Sequence, residues 1–135
     1  MSANDNIKTI QAIYEAFGRG DVAYILENVT DDVDWSVETS STVAPWYGRR
    51  QGKAEVAKFF EDLGSTMTVN AFEPITYGSN DDGEVFTVVK YKATRTATGK
   101  SEATNIQHHF RFRDGKVAYW RGTEDSSQIE ALFRD

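Results

Sequence analysis

The sequence contains no cysteine, so no disulfide can staple the chain, and neither a thiolate nucleophile nor a thiolate zinc site can form. A reducing compartment suits such a chain, and the cytoplasm is the expected location. Histidine is nearly as scarce, with His108 and His109 the only two. Neighbouring residues of a strand point to opposite faces, so this pair cannot chelate one metal. No H-E-x-x-H or His-x-His pattern is present, and no metal is expected. No G-x-S-x-G turn offers a serine nucleophile, and no G-x-G-x-x-G or P-loop offers a nucleotide cradle, so no cofactor is expected either. The opening residues MSANDNIKTI lack the basic start and apolar run of a signal peptide, and no apolar stretch is long enough to span a bilayer. Positive charge is short as well. Against 21 Asp and Glu stand 15 Lys and Arg, a formal charge of −6 that repels a phosphate backbone. Neither nucleic acid nor membrane is an expected partner, and Arg49-Arg50, between Gly48 and Gly52, reads as a solvated turn.

Aromatic residues are abundant. Eight Phe, six Tyr and three Trp make up 13% of the 135 residues, more large flat side chains than a small core requires. Such side chains line apolar ligand sites. The length is that of one domain, residues 1–135, with a single core and no repeat or linker.

Along the chain, Ile7, Ile10, Ile13 or Tyr14, and Phe17 share one face of a helix from about Asn6 to Phe17. Asp21 caps a second short helix whose stripe is Val22, Ile25, Leu26 and Val29. Thr30-Asp31-Asp32 then stops it and leads into an alternating strand, Val33 to Val37. A loop of roughly ten to fifteen residues follows, long enough to be functional. From Gly52 a third helix places Val56, Phe59, Phe60 and Leu63 on one face, with Gly64 at its end. Four strands come next, Thr66 to Ile75, Glu84 to Arg95, Ser101 to Phe112 and Lys116 to Arg121, separated by Asp-Gly and Thr-Gly turns. Short turns imply an antiparallel meander, with the Pro74 strand at an edge or bent there. Ser126-Ser127 caps a last helix. Helices first and meander afterwards give an α+β fold, the helices covering one face of the sheet.

The chemistry converges on the penultimate strand, where His108, Phe110 and Phe112 share a face. His108 can act as a general base, as a donor to a developing enolate oxygen, or as a neutral bridge between core groups. Glu38, leaving the first strand, and Asp125, ending the last, are the carboxylates placed to orient it or relay a proton; Asp125 can instead cap the final helix. Tyr14 and Tyr91 offer phenols or core packing. Asp34 alternates out of phase with Trp35 and should face solvent. Trp120 shares a face with Ala118 and Gly122, which leaves space beside its indole. Trp46, on the long loop, is the candidate lid.

These residues bear a family resemblance. Phe17-Gly18-Arg19-Gly20-Asp21, Thr30 to Trp35, Tyr47-Gly48 through Gly52, and HHFRFRDGKVAYW followed by Asp125 resemble the SnoaL-like branch of the nuclear transport factor 2-like superfamily. The resemblance implies a cone of three N-terminal helices against a strongly curved antiparallel sheet, a ligand pocket inside it, and a homodimer. It also implies cyclases, isomerases and dehydratases that work without cofactors, alongside members with no catalysis. By that resemblance His108 falls where steroid isomerases and cyclases carry an acid, the isomerase base falls near Val37, and the isomerase phenol falls near Ile13 or Tyr14, Tyr14 being one position off. The expected ligand is a flat apolar ketone walled by Phe17, Trp35, Trp46, Tyr47, Phe59, Phe60, Tyr91, Phe110 and Trp120. The catalytic candidates are His108, Glu38, Asp125 and Tyr14, and the alternative is a noncatalytic binder of a small hydrophobic molecule.

Overall fold

Ser2 starts the first helix with a reciprocal cap: its hydroxyl accepts from the Asp5 N–H while the Asp5 carboxylate accepts from the Ser2 N–H. The helix therefore begins at Ala3, ahead of the expected Asn6. In the computed structural model, which describes residues 2–134, the elements run α1 (Ala3–Gly18), α2 (Val22–Glu27), β1 (Val29–Val37), β2 (Arg50–Gln51), α3 (Lys53–Thr66), β3 (Met67–Ser79), β4 (Glu84–Arg95), β5 (Ser101–Arg113), β6 (Lys116–Thr123) and α4 (Ser126–Leu132). No helix among the described residues is long and apolar enough to cross a membrane.

The six strands form one open, curved sheet in the order β2-β1-β6-β5-β4-β3. Strands β3 to β6 make the expected antiparallel meander. The β5–β6 hairpin turns at Asp114 and Gly115, both at positive φ (53° and 80°), the geometry that suits this dipeptide. Strand β1 departs from the antiparallel expectation. It runs parallel to β6, Trp35 beside Trp120 and Val37 beside Gly122, so the early chain is zipped to the late chain.

Several boundaries also shift. Asn28 ends α2, its side chain donating to the Tyr24 carbonyl at 2.9 Å, and Val29 opens β1 by pairing with Val117. Thr30-Asp31-Asp32 is thus strand rather than turn. Helix α3 runs through Gly64 to Thr66, whose hydroxyl bonds the Asp62 carbonyl at 2.7 Å. Strand β3 is an edge, as expected, and continues beyond Pro74; a register shift between Pro74 and Thr76 absorbs the missing N–H.

The core lies between the helices and the inner face of the sheet. Helix α1 contributes Ile10, Ile13 and Tyr14, α2 Ile25, and α3 Val56 and Phe59. From the sheet come Val85, Val89 and Tyr91 of β4 and Ile106 and Phe110 of β5. The Arg50 guanidinium pairs with Asp62 at 3.1 Å and reaches the Pro45 and Tyr47 carbonyls at 3.0 and 3.5 Å. It is a structural clasp between the long loop and α3, not a solvated turn.

Candidate functional site

Alternation along β5 turns Ile106, His108 and Phe110 inward, where α1 brings Tyr14 down onto them. The Tyr14 hydroxyl lies 2.7 Å from His108 Nδ1 and 2.7 Å from the Thr87 hydroxyl. Thr87, His108 and Gly122 are paired across three strands, so the chain Thr87–Tyr14–His108 is fixed by sheet register at one end and by α1 at the other. Burial holds the imidazole down to about 3, so it is neutral, and burial pushes the Tyr14 phenol well above its ordinary value. Two hydroxyl arrangements are open. If Tyr14 donates to Nδ1, the proton sits on Nε2 and makes it a donor; if Nδ1 donates to Tyr14, Nε2 carries a lone pair. A base this weak takes protons poorly, so the donor arrangement is the chemically stronger one.

The cavity beyond His108 measures ≈ 80 Å³ and is mostly apolar. Phe17, Trp35, Trp46, Phe59, Phe60, Tyr91, Phe110 and Trp120 all line it, as does Phe72. The indoles of Trp35 and Trp120 stack with centroids 4.4 Å apart, and Phe59 meets both edge-on at 5.8 and 5.6 Å. Trp35 Nε1 is buried without a partner. The space expected beside Trp120 is not open. Gly122 seats the indole itself, so closely that a Cβ there would lie 2.5 Å from the ring. Ala118 takes no part, because a register shift between Arg111 and Phe112 breaks the alternation before Trp120.

Trp46 is packed rather than lifted away: it is 3% exposed and donates from Nε1 to Glu124 Oε1 at 3.2 Å. Tyr47 sits behind it, edge-on at 5.6 Å, and is not among the cavity walls. Tyr47 is therefore corrected from ligand contact to support.

Neither expected carboxylate reaches the cavity. Glu38 donates its backbone N–H to the Gly122 carbonyl at 2.7 Å and its side chain pairs with Arg121 at 3.5 Å, on a separate open cleft that Thr87, His108 and His109 also line. Asp34 also faces out, 3.0 Å from Arg121 and 3.2 Å from Arg49. Asp125 caps α4, accepting from the N–H groups of Ser127 and Gln128 at 3.1 and 3.3 Å, and the Ser127 hydroxyl first, then the Gln128 side-chain amide, hold its carboxyl below the usual range. It displaces Ser126-Ser127 as the cap and is occupied by that work.

The carboxyl that does line the cavity is Glu124. Its pKa is raised, by burial first, with the Trp46 hydrogen bond opposing. The signal was in the alternation: Trp120, Gly122 and Glu124 are spaced by two, and whatever turns the indole inward turns Glu124 inward too. Behind it lies Glu102, 2% exposed, with both carboxylate oxygens unpartnered; burial, then Glu124 and Asp125, push it up to about 8.

A curved, open sheet covered by helices on its inner face is an NTF2-like fold. The SnoaL-like domain family matches residues 10–120, and the chain belongs to it. Solved structures agree on the fold. An NTF2-like protein of unknown function from Burkholderia pseudomallei is similar at TM-score 0.88 and 21% identity over 100% of both chains. TerC, co-crystallised with polyporic acid, is similar at TM-score 0.83 and 21% identity over 97% of this chain and 99% of that one. A candidate polyketide cyclase from Xanthomonas campestris pv. campestris gives TM-score 0.78 and 20% identity over 98% of each. No curated protein matches the chain.

Proposed function

We propose that this protein performs cofactor-independent acid–base chemistry, as an isomerase, cyclase or dehydratase, on an apolar ketone held in the cavity. The observation that carries the reading is His108, a neutral imidazole anchored by Tyr14 at 2.7 Å and facing an apolar cavity that also holds the Glu124 carboxyl. A neutral Nε2–H aimed at a carbonyl oxygen stabilises the charge that develops when the adjacent carbon loses a proton, and does so in a site where water does not compete. Glu124 is the proton-transfer group nearest to hand, in the place expected of Glu38 or Asp125. Its raised pKa brings it closer to the working range of a general acid or base.

A second reading has its own support. Val37 lines the cavity where the isomerase resemblance expects the base, and a valine moves no proton. A noncatalytic binder with His108 as anchor fits that observation. His108→Ala separates the two. An enzyme loses about a hundredfold or more in kcat with KM little changed, whereas a binder loses affinity. No change in either quantity removes His108 from the site. We further propose that two copies associate in the cytoplasm, with Phe86 and Ile75, 44% and 56% exposed, as apolar surface toward that end; a monomer by sedimentation would exclude it.

A further inference from the structure

Size and charge bear on what the cavity takes. Its ≈ 80 Å³ is smaller than the ~150 Å³ of a dry cavity that admits benzene, so even one ring fills it and asks the walls to give. Beyond one ring those walls have little more to give. Trp120 lies over Gly122 on one side and stacks on Trp35 at 4.4 Å on the other, while Phe59 closes against both. A fused four-ring skeleton would have to displace this aromatic set together with α3.

The charge argument is independent of size. Among the described residues no lysine or arginine lines the cavity, and the one carboxyl there is Glu124. Glu102 stands close behind it with no hydrogen-bond partner, and each group's pKa is raised. Arg121, the nearest basic residue in sequence, is committed outside to Asp34 and Glu38. A ligand carboxylate would be buried beside Glu124 in a place where no cation compensates and desolvation is costly. An uncharged carbonyl meets no such cost, and finds the imidazole.

We infer that the cavity takes an uncharged carbonyl compound of no more than one ring, and that Glu124 is the residue that turns anions away. The inference rests on the cavity being the working site. Titration calorimetry of the whole chain at neutral pH, with para-methylacetophenone, para-acetylbenzoate and androstenedione as probes, tests it. Para-methylacetophenone should bind at least about tenfold more tightly than either of the others, a difference of one decade in Kd. Glu124→Gln, which keeps shape and removes the charge, should narrow its margin over para-acetylbenzoate about threefold or more. If the benzoate or the steroid matches para-methylacetophenone and His108→Ala still abolishes binding, the substrate class is wrong and the site stands. If no probe binds, or binding ignores His108, the site falls and this inference with it.

Discussion

At Gly122 a single methyl group would have to share space with an indole. A Cβ built there meets Trp120 Cζ2 and Cη2 at 2.5 and 2.6 Å and His108 Cδ2 at 3.4 Å, and Gly122 does not sit at positive φ, so the obstacle is steric alone. Gly122→Ala must therefore push the indole off its seat, at a cost of about 1–3 kcal/mol for an overpacked interior. Urea unfolding gives the cost, and a changed near-ultraviolet circular dichroism spectrum shows the indole moved; an unchanged spectrum would contradict the geometry. Much of this site was legible at residue level. His108, Phe110, Trp35 and Trp120 follow from strand alternation, and Tyr14, Phe17, Phe59 and Phe60 from the helix stripes. Glu124 stands one residue past the end of β6, where the spacing by two from Trp120 and Gly122 still carries it inward but nothing else in the local sequence marks it. Glu38 misleads for a local reason: its backbone N–H bonds Gly122 and its side chain pairs with Arg121, and no pattern in the sequence encodes that.

Elements differ in what holds them. Helix α4 has seven residues, too few to persist alone, and depends on burying Ile129 and Leu132 and on the Asp125 cap. The Arg95 guanidinium also holds the Leu132 carbonyl at 2.9 Å and lies over the Phe133 ring. Asp125→Ala should cost about 1 kcal/mol, the worth of a side-chain cap, and should speed amide exchange through α4. Since Asp125 lies outside the cavity, turnover should survive; a collapse of kcat in a folded variant would return it to the catalytic set. The type and order of the large elements were readable from their periods of two and 3.6 residues. Their ends were not, because a cap is decided by which hydroxyl or carboxylate reaches a free N–H, as Ser2 and Asp125 do where Asn6 and Ser126 seemed sufficient. The two-residue β2 carries too little pattern to be seen, and the parallel β1–β6 pairing is a meeting of distant segments that no local signal announces.

For the molecule as a whole, two buried groups pull stability in opposite directions with pH. His108 takes a proton at an ordinary 6.5 when unfolded but only near 3 when folded. Acid below 6.5 therefore favours the unfolded chain, by about 2 kcal/mol at pH 5. Glu102 loses its proton near an ordinary 4.5 when unfolded but holds it to about 8 when folded, so stability falls as pH rises between those values. Each slope is at most about 1.4 kcal/mol per pH unit, and they cancel where the windows overlap. Stability should be flattest between about pH 4.5 and 6.5 and fall on either side. Urea midpoints across the range check this, and Glu102→Gln should make the alkaline limb shallower while leaving the acid limb alone. An unaltered alkaline limb would assign it elsewhere, Glu124 first. The parallel pairing of β1 with β6 also reaches beyond stability. It sets Trp35 against Trp120 across a long sequence separation, a contact whose loop-closure entropy slows its formation. Two indoles stacked at that spacing couple their excited states, so an exciton doublet should appear only once β1 has docked on β6: a built-in optical reporter of that one pairing.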